Sequence, residues 1–351
     1  MVALAIVARV LTPRPRRVIG LAAALAVFAA AGAACGDDDG DGALTIYSGR
    51  NEDLIGPLLQ TFAEDTGIDI DVKYADSAKL ALLIDTEGEQ SPADVFVSQS
   101  PGAMDYLTVK DRLDVLSQDV LDAVPEQFRS SEGEWVGLSG RARTLVYNTD
   151  MVSEADLPAS VLDLTDPRYE DMVAVAPTNG SFQDFVTAMR QNLGDEATLE
   201  YLRGLRDNGA EAYRDNNSIV QAVARGEIAM GLVNHYYNVR AKAEDPSLPT
   251  ENHFFADGDL GNLILVTGAA KVAGNGHTGE AEEFIGYMLG ADAQTYFSEQ
   301  TKEYPLAAGV EPAEGLPPLE SIPAPTEDLS SLGTDLEGTT ALIREAGLTG
   351  A

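Results

Sequence analysis

The chain has 351 residues, with 57 acidic against 23 basic side chains, a formal charge of −34 at neutral pH, and one cysteine. Such a surface repels nucleic acid and anionic headgroups while drawing in multivalent cations, although a solubility or salt adaptation produces the same charge. The single cysteine, Cys35, leaves the domain behind it without disulfides, a thiolate metal site or a cysteine nucleophile.

The first 35 residues read as an export signal. Arg9, Arg14, Arg16 and Arg17 form a basic start, an apolar run covers 18–34, and Ala31-Gly32-Ala33-Ala34-Cys35-Gly36 ends it. Small residues before cysteine resemble a bacterial lipobox, which makes Cys35 a lipidation site and anchors the chain to the cell membrane. Gly32 departs from the Leu-like residue usual there, so cleavage with secretion, periplasmic or beyond, stays open. The run is short for a membrane span. Removing the signal leaves 19 basic against 57 acidic residues. Residues 36–43, rich in aspartate and glycine, read as a solvated tether.

The remaining 308 or so residues suit two lobes. Residues 44–47 read as a strand, and 54–66 as a helix with apolar Leu54, Ile55, Leu58, Leu59 and Phe62. Gly67 stops it, and 68–74 forms the next strand. A helix over 78–86, a strand over 94–98 and a helix over 103–110 complete a β-α-β-α-β run, which implies a mostly parallel sheet. Later come a strand over 173–176, helices over 181–193, 197–208 and 218–225, and a strand over 229–233. Helices over 280–289 and 291–301 follow, then a proline-rich connection over 311–325 and a final helix over 335–346.

Dinucleotide and P-loop fingerprints are absent. His235, His253 and His277 are scattered without zinc spacing, and no Gly-x-Ser-x-Gly elbow marks a serine hydrolase. Adjacent Tyr236 and Tyr237 stand out, because phenolate is a hard anionic ligand suited to a hard cation such as ferric iron. Paired tyrosines also serve as ordinary core or rim residues. In 176–182, Ala-Pro-Thr-Asn-Gly-Ser-Phe, small polar residues at a helix start leave backbone N–H groups for an anion, or simply cap the helix. Asn216 and Asn234 either donate amides to that anion or form turns. Arg141 and Arg143 flank a β-prone run over 138–148 and either neutralise a site or pair structurally.

With these segments together, the chain resembles a ferric iron-binding protein of a bacterial ABC importer. The resemblance runs over about 44–305 and is carried by Tyr47-Ser48-Gly49-Arg50-Asn51-Glu52, Ser91-Pro92-Ala93-Asp94-Val95-Phe96, residues 138–148, Pro177 to Phe182, Gly226-Glu227-Ile228, Asn234-His235-Tyr236-Tyr237 and Glu303-Tyr304-Pro305. It implies an α/β, two-lobed type II periplasmic-binding-protein fold, each lobe a mixed, mostly parallel sheet with flanking helices. Lobe one would comprise 44–140 and 267–315, lobe two 141–266, with 316–351 packing on lobe two. It further implies that Tyr236 and Tyr237 ligate ferric iron (Fe3+) as transported ligand. Asn179, Gly180, Ser181, Asn216 and Asn234, with Arg141 and Arg143 beside them, would hold a synergistic phosphate or carbonate.

The lobe-one positions that carry histidine and glutamate ligands in relatives hold Asn51 and Gln99 here, so Glu52, a second exogenous anion or water would complete the shell. A third tyrosine used in another branch is Phe182 here, and Tyr147 reads as structural. The implied partners are an ABC permease and its ATPase, with no nucleic acid, a monomeric state and no catalysis. The competing readings are a type II binding protein for a phosphonate, thiamine or polyamine, an exported enzyme acting on phosphorylated substrates, and an iron sensor.

Overall fold

The computed structural model describes residues 42–274, 276–326, 329, 332 and 335–348; Cys35, the export signal and the tether up to residue 41 lie outside them. Strand β1 (Leu44–Ser48) leads through α1 (Glu52–Thr66) to β2 (Ile70–Tyr74), α2 (Ser77–Glu87), β3 (Val95–Ser98), α3 (Pro101–Val109), β4 (Leu113–Asp114) and α4 (Gln118–Leu121). A long strand, β5 (Trp135–Asn148), follows. Then come β6 (Val173–Val175), α5 (Gly180–Leu193), α6 (Asp195–Asp207), β7 (Glu211–Ala212), α7 (Asn216–Ala224), β8 (Met230–Asn234), α8 (His235–Glu244) and β9 (Thr250–His253). The chain closes with β10 (Ile264–Val272), α9 (Thr278–Met288), α10 (Ala291–Glu299), β11 (Tyr304–Pro305) and α11 (Leu336–Ala346).

The helices begin where capping chemistry permits, often before the apolar pattern does. Helix α1 buries Leu54, Ile55, Leu58, Leu59 and Phe62 and ends at left-handed Gly67, φ 76°, but starts two residues earlier than its first apolar position. Pro101 occupies the first turn of α3, and Ser100 Oγ accepts from Ala103 N at 3.2 Å, so this helix also starts two residues early. Asp215 caps α7 by accepting from Ser218 N. Asn216 therefore lies inside the helix rather than in a turn before it.

The β-α-β runs produce parallel pairs, β1 with β2 and β3, and β6 with β7 and β8. Antiparallel pairing enters where β5 and β10 cross the molecule. The first half of β5 pairs β10, Trp135↔Ala270 through Ala142↔Ile264. Its second half pairs β8, Arg143↔Asn234 through Tyr147↔Met230, and β9. The partner switch falls between Ala142 and Arg143, and all fourteen residues of β5 are buried.

One core gathers Ile46, Phe62, Phe96, Trp135 and Phe284 around β1, β3 and β10. Two others cover opposite faces of the β5–β8–β6 sheet, where Leu145 joins Phe182, Phe185 and Leu202 while Val146 joins Ile219 and Val233. Successive strand residues point to opposite faces, so Leu145 and Val146 serve different cores. Ile343 and Ala346 of α11 enter the core of Leu145, while Leu329 and Leu332 belong to that of Trp135. In the 254–263 link, Asn262 Oδ1 accepts from Phe255 N at 2.8 Å and its Nδ2 donates to Pro323 O at 2.9 Å.

Candidate ligand-binding cleft

The site is built on the switch point of β5. His235, first residue of α8, accepts from Ala142 N at 3.2 Å through Nδ1, so its Nε2 carries the proton and donates to Lys302 O at 3.0 Å. Burial pushes its pKa down to about 4, so the ring stays neutral and pins the start of α8 to the crossing strand. His277 pairs elsewhere, with Asp94 at 3.1 Å. Among the described residues, no cluster of three His, Cys, Asp or Glu could hold a metal.

Fixing His235 fixes the next two residues. The Tyr236 and Tyr237 rings stack, with centroids 4.2 Å apart and an interplanar angle of 27°. Tyr236 is fully buried, and its hydroxyl has no hydrogen-bond partner of good geometry. Burial, the neighbouring Tyr237 and Glu303 raise the Tyr236 pKa, while Arg141 and Arg50 oppose the rise. Burial also raises Tyr237, against Tyr236, Arg141 and Arg50. Both rings are therefore neutral phenols in the metal-free protein, beside cations that favour their ionised form.

Those cations are short of partners. Arg50 and Arg141 both donate through Nη1 to Thr267 Oγ1, at 2.7 and 2.8 Å, and Nε and Nη2 of each are buried without a partner. Arg50 also pairs with Glu303 at 2.9 Å, both side chains fully buried. Burial pushes the Glu303 carboxyl up, but Arg50, Arg141 and Ser139 outweigh it and hold the group below its usual range. Arg143 donates to Ser181 Oγ at 3.2 Å and stacks over Phe185, leaving Nη2 unpartnered. Burial lowers its pKa to about 10. Neither Arg141 nor Arg143 has a carboxylate within ion-pair distance among the described residues, so structural ion pairing does not account for them.

The helix-start motif caps and is also placed for binding. Asn179 Oδ1 accepts from Ser181 N at 3.1 Å and from Ser181 Oγ at 2.6 Å, an ordinary N-cap. Its neighbour Gly180 lines the cleft. Asn216 is buried with both side-chain polar atoms unpartnered, and Asn234 is buried with Oδ1 unpartnered. Buried polar groups normally find partners, so this concentration of unfilled ones marks a place for a ligand.

A cleft of about 820 Å³ is lined by Arg50, Asn51, Glu52 and Gln99 on one wall and by Asn179, Gly180 and Tyr237 on the other, with the buried Asn216, Asn234, Arg141 and Arg143 behind its lining. A second space of about 470 Å³ reaches Asn51 and Tyr237 from another side. Asn51, Glu52 and Gln99 thus stand opposite Tyr237, with a single carboxylate among them. Tyr147 lies in a core, as does Phe182. Arg50, Thr267 and Glu303 were assigned no role from sequence; the one available signal was the scarcity of basic residues, which makes an arginine beside a strand end worth weighing.

The chain is similar to known proteins over most of its length. The family model described as bacterial extracellular solute-binding protein matches residues 90–328. The chain is 30% identical to the Fe(3+)-binding periplasmic protein of Serratia marcescens over 311 residues, 88% of this chain and 91% of that one. It is 32% identical to the major ferric iron-binding protein of Neisseria meningitidis over 313 residues, 87% of this chain and 93% of that one. The solved structure of iron-bound HitA from Pseudomonas aeruginosa superposes with a TM-score of 0.83 at 31% identity, covering 87% of this chain and 99% of that chain. The architecture is the α/β fold of two-lobed periplasmic binding proteins. The matched span includes the crossing strand, the tyrosine pair, Arg141 and Arg143, though not Arg50, and the chain belongs to the bacterial extracellular solute-binding proteins.

Proposed function

We propose that this chain is the extracytoplasmic binding protein of an ABC importer and captures ferric iron between two lobes. On this reading residues 44–140 and 267–315 form lobe one and 141–266 lobe two; of the expected 316–351 packing on lobe two, α11 joins the second core, whereas Leu329 and Leu332 join the first. The observation that carries it is the stacked Tyr236–Tyr237 pair, with the Tyr236 hydroxyl buried beside Tyr237 and the unfilled donors of Arg50 and Arg141. Relatives named for ferric iron support it.

The phenols of Tyr236 and Tyr237 give up their protons because a trivalent cation stabilises phenolate far more than a proton does. A phosphate or carbonate would offset the remaining charge, taken up by Asn216, Asn234, Ser181 and the free faces of Arg141 and Arg143 at the start of α5. Asn51 and Gln99 are too weak as anionic ligands to complete the shell, which leaves Glu52, the anion itself or water. Closing the lobes over the metal would present one conformation to a permease and its ATPase. The chain acts alone as a monomer, held at the membrane through Cys35 or free outside it, and carries out no catalysis.

Titration of the iron-stripped protein with a ferric chelate, in phosphate and in bicarbonate, tests the reading. A visible phenolate-to-iron band saturating at about one iron per chain, and lost in Tyr236→Phe and Tyr237→Phe, is expected. Absence of a band in both buffers would sink the ferric reading and turn the search to phosphonates and cationic organic ligands.

A further inference from the structure

One buried carboxylate on α5, the helix whose start lines the cleft, is used neither by the proposed metal shell nor by an ion pair. Asp184 lies three residues after Ser181 on α5, which puts both on one face of the helix, one turn apart. It is buried, Ser100 Oγ donates to its Oδ1 at 2.6 Å, and its Oδ2 has no partner. A Cβ added at Gly102 would stand 2.8 Å from Oδ1, so the first turn of α3 seats directly against the carboxylate. The groups facing it are the Ser100 hydroxyl and Gly102 N–H from α3, and the Arg141 and Arg143 guanidiniums from β5. Ser181, its neighbour along the helix, accepts from Arg143.

We propose that Asp184 is a proton-dependent gate on the anion end of the cleft: ionised, it opposes an anion held by Arg143 and Ser181, and protonated, it admits one. The proposal rests on the anion-binding part of the reading above. An anion held by Ser181, one helical turn before Asp184, and by the Arg143 guanidinium that donates to Ser181 would cancel part of the charge that helps keep the carboxylate ionised. Anion binding and protonation of Asp184 therefore favour each other, and the coupling is reciprocal. Burial raises the Asp184 pKa to about 7, against Ser100, Arg141, Gly102 and Arg143, which lower it. The other buried groups of the cleft do not change charge near neutrality: His235 titrates at about 4, Arg143 at about 10, Glu303 is held low and both tyrosines are held high.

Sulfate is the suitable probe because, unlike phosphate, it keeps the same charge across neutrality. Calorimetric titration of the iron-free protein should show sulfate binding about fivefold weaker at about pH 8 than at about pH 6, the effect over that interval of one unit of mutual pKa shift. Asp184→Asn, which keeps the acceptor for Ser100, should remove that fall and bind at alkaline pH as tightly as the unaltered protein does in acid. Ser100→Ala should move the fall to higher pH, because the lost hydrogen bond favours the ionised carboxylate. A fall of the same size in Asp184→Asn, or no fall in the unaltered protein, overturns the gate while leaving the anion site standing. Failure of every variant to take up sulfate at any pH overturns the anion site together with its gate, and the ferric titration then judges the iron reading alone.

Discussion

Removing one charge from the Arg50–Glu303 pair tests how far the floor of the cleft depends on charge balance. Both side chains are fully buried, and Glu303 also accepts from Ser139 Oγ at 2.7 Å. Glu303→Gln would leave Arg50 without its counter-charge, which typically costs about 3–5 kcal/mol. Urea unfolding should show a loss of that size; a loss below about 1 kcal/mol would mean that water or another carboxylate reaches Arg50. The same residues show the limits of reading a site from sequence. Two adjacent phenols are conspicuous because their chemistry is unusual for a binding surface. Arg50 and Glu303 are 253 positions apart, and nothing local to either reveals the other. Asn51 and Gln99 could be placed in the cleft only through the family resemblance.

At the scale of elements, the positions of α7 and β8 decide whether Asn216 and Asn234 face one ligand. Gly231 is the point of contact: a Cβ there would stand 2.2 Å from Ile219 Cγ2 and 3.3 Å from Ala174 Cβ. Gly231→Ala should therefore cost about 1–3 kcal/mol as an overpacked core, seen as a lower urea midpoint, and should weaken sulfate binding by parting the two asparagines. Unchanged stability would show that α7 yields without cost. Strands and helices with a clean apolar period, such as β1, α1 and α5, were legible in the sequence because periodicity reports burial directly. Helix α8 was not: its buried side is made of His235, Tyr236 and Asn238, polar or amphipathic residues that leave no apolar stripe. Nor did local pattern disclose the antiparallel crossings, since β5 is buried along its whole length and alternation vanishes.

For the molecule as a whole, the proposed ligation by Tyr236 and Tyr237 would make metal uptake and proton release one process. Burial raises both tyrosines above the ordinary phenol value, so each is protonated at neutrality and each phenolate ligand releases one proton. Uptake near neutral pH should free about two protons per iron, after correction for those exchanged by the chelate and the anion, and affinity should fall about a hundredfold for each pH unit of acidification in this range. Indicator titration in weak buffer measures the first and chelator competition the second. Release near one proton would leave a single phenolate in the shell. The acidic surface, at −34 over the full chain, adds a long-range attraction that salt screens, so association should slow with ionic strength while the proton count stays fixed.

Among the described residues, three places join the core of Trp135 to that of Leu145: β5 itself, the link from β9 to β10, and the segment of Pro323, whose later residues Leu332 and Ile343 lie in different cores. Asn262 fastens the second of these to the third through Pro323. If the cores belong to two lobes as proposed, a waist tied in this way would bend more readily than it twists, so opening would part the tyrosines from the opposite wall without turning one past the other.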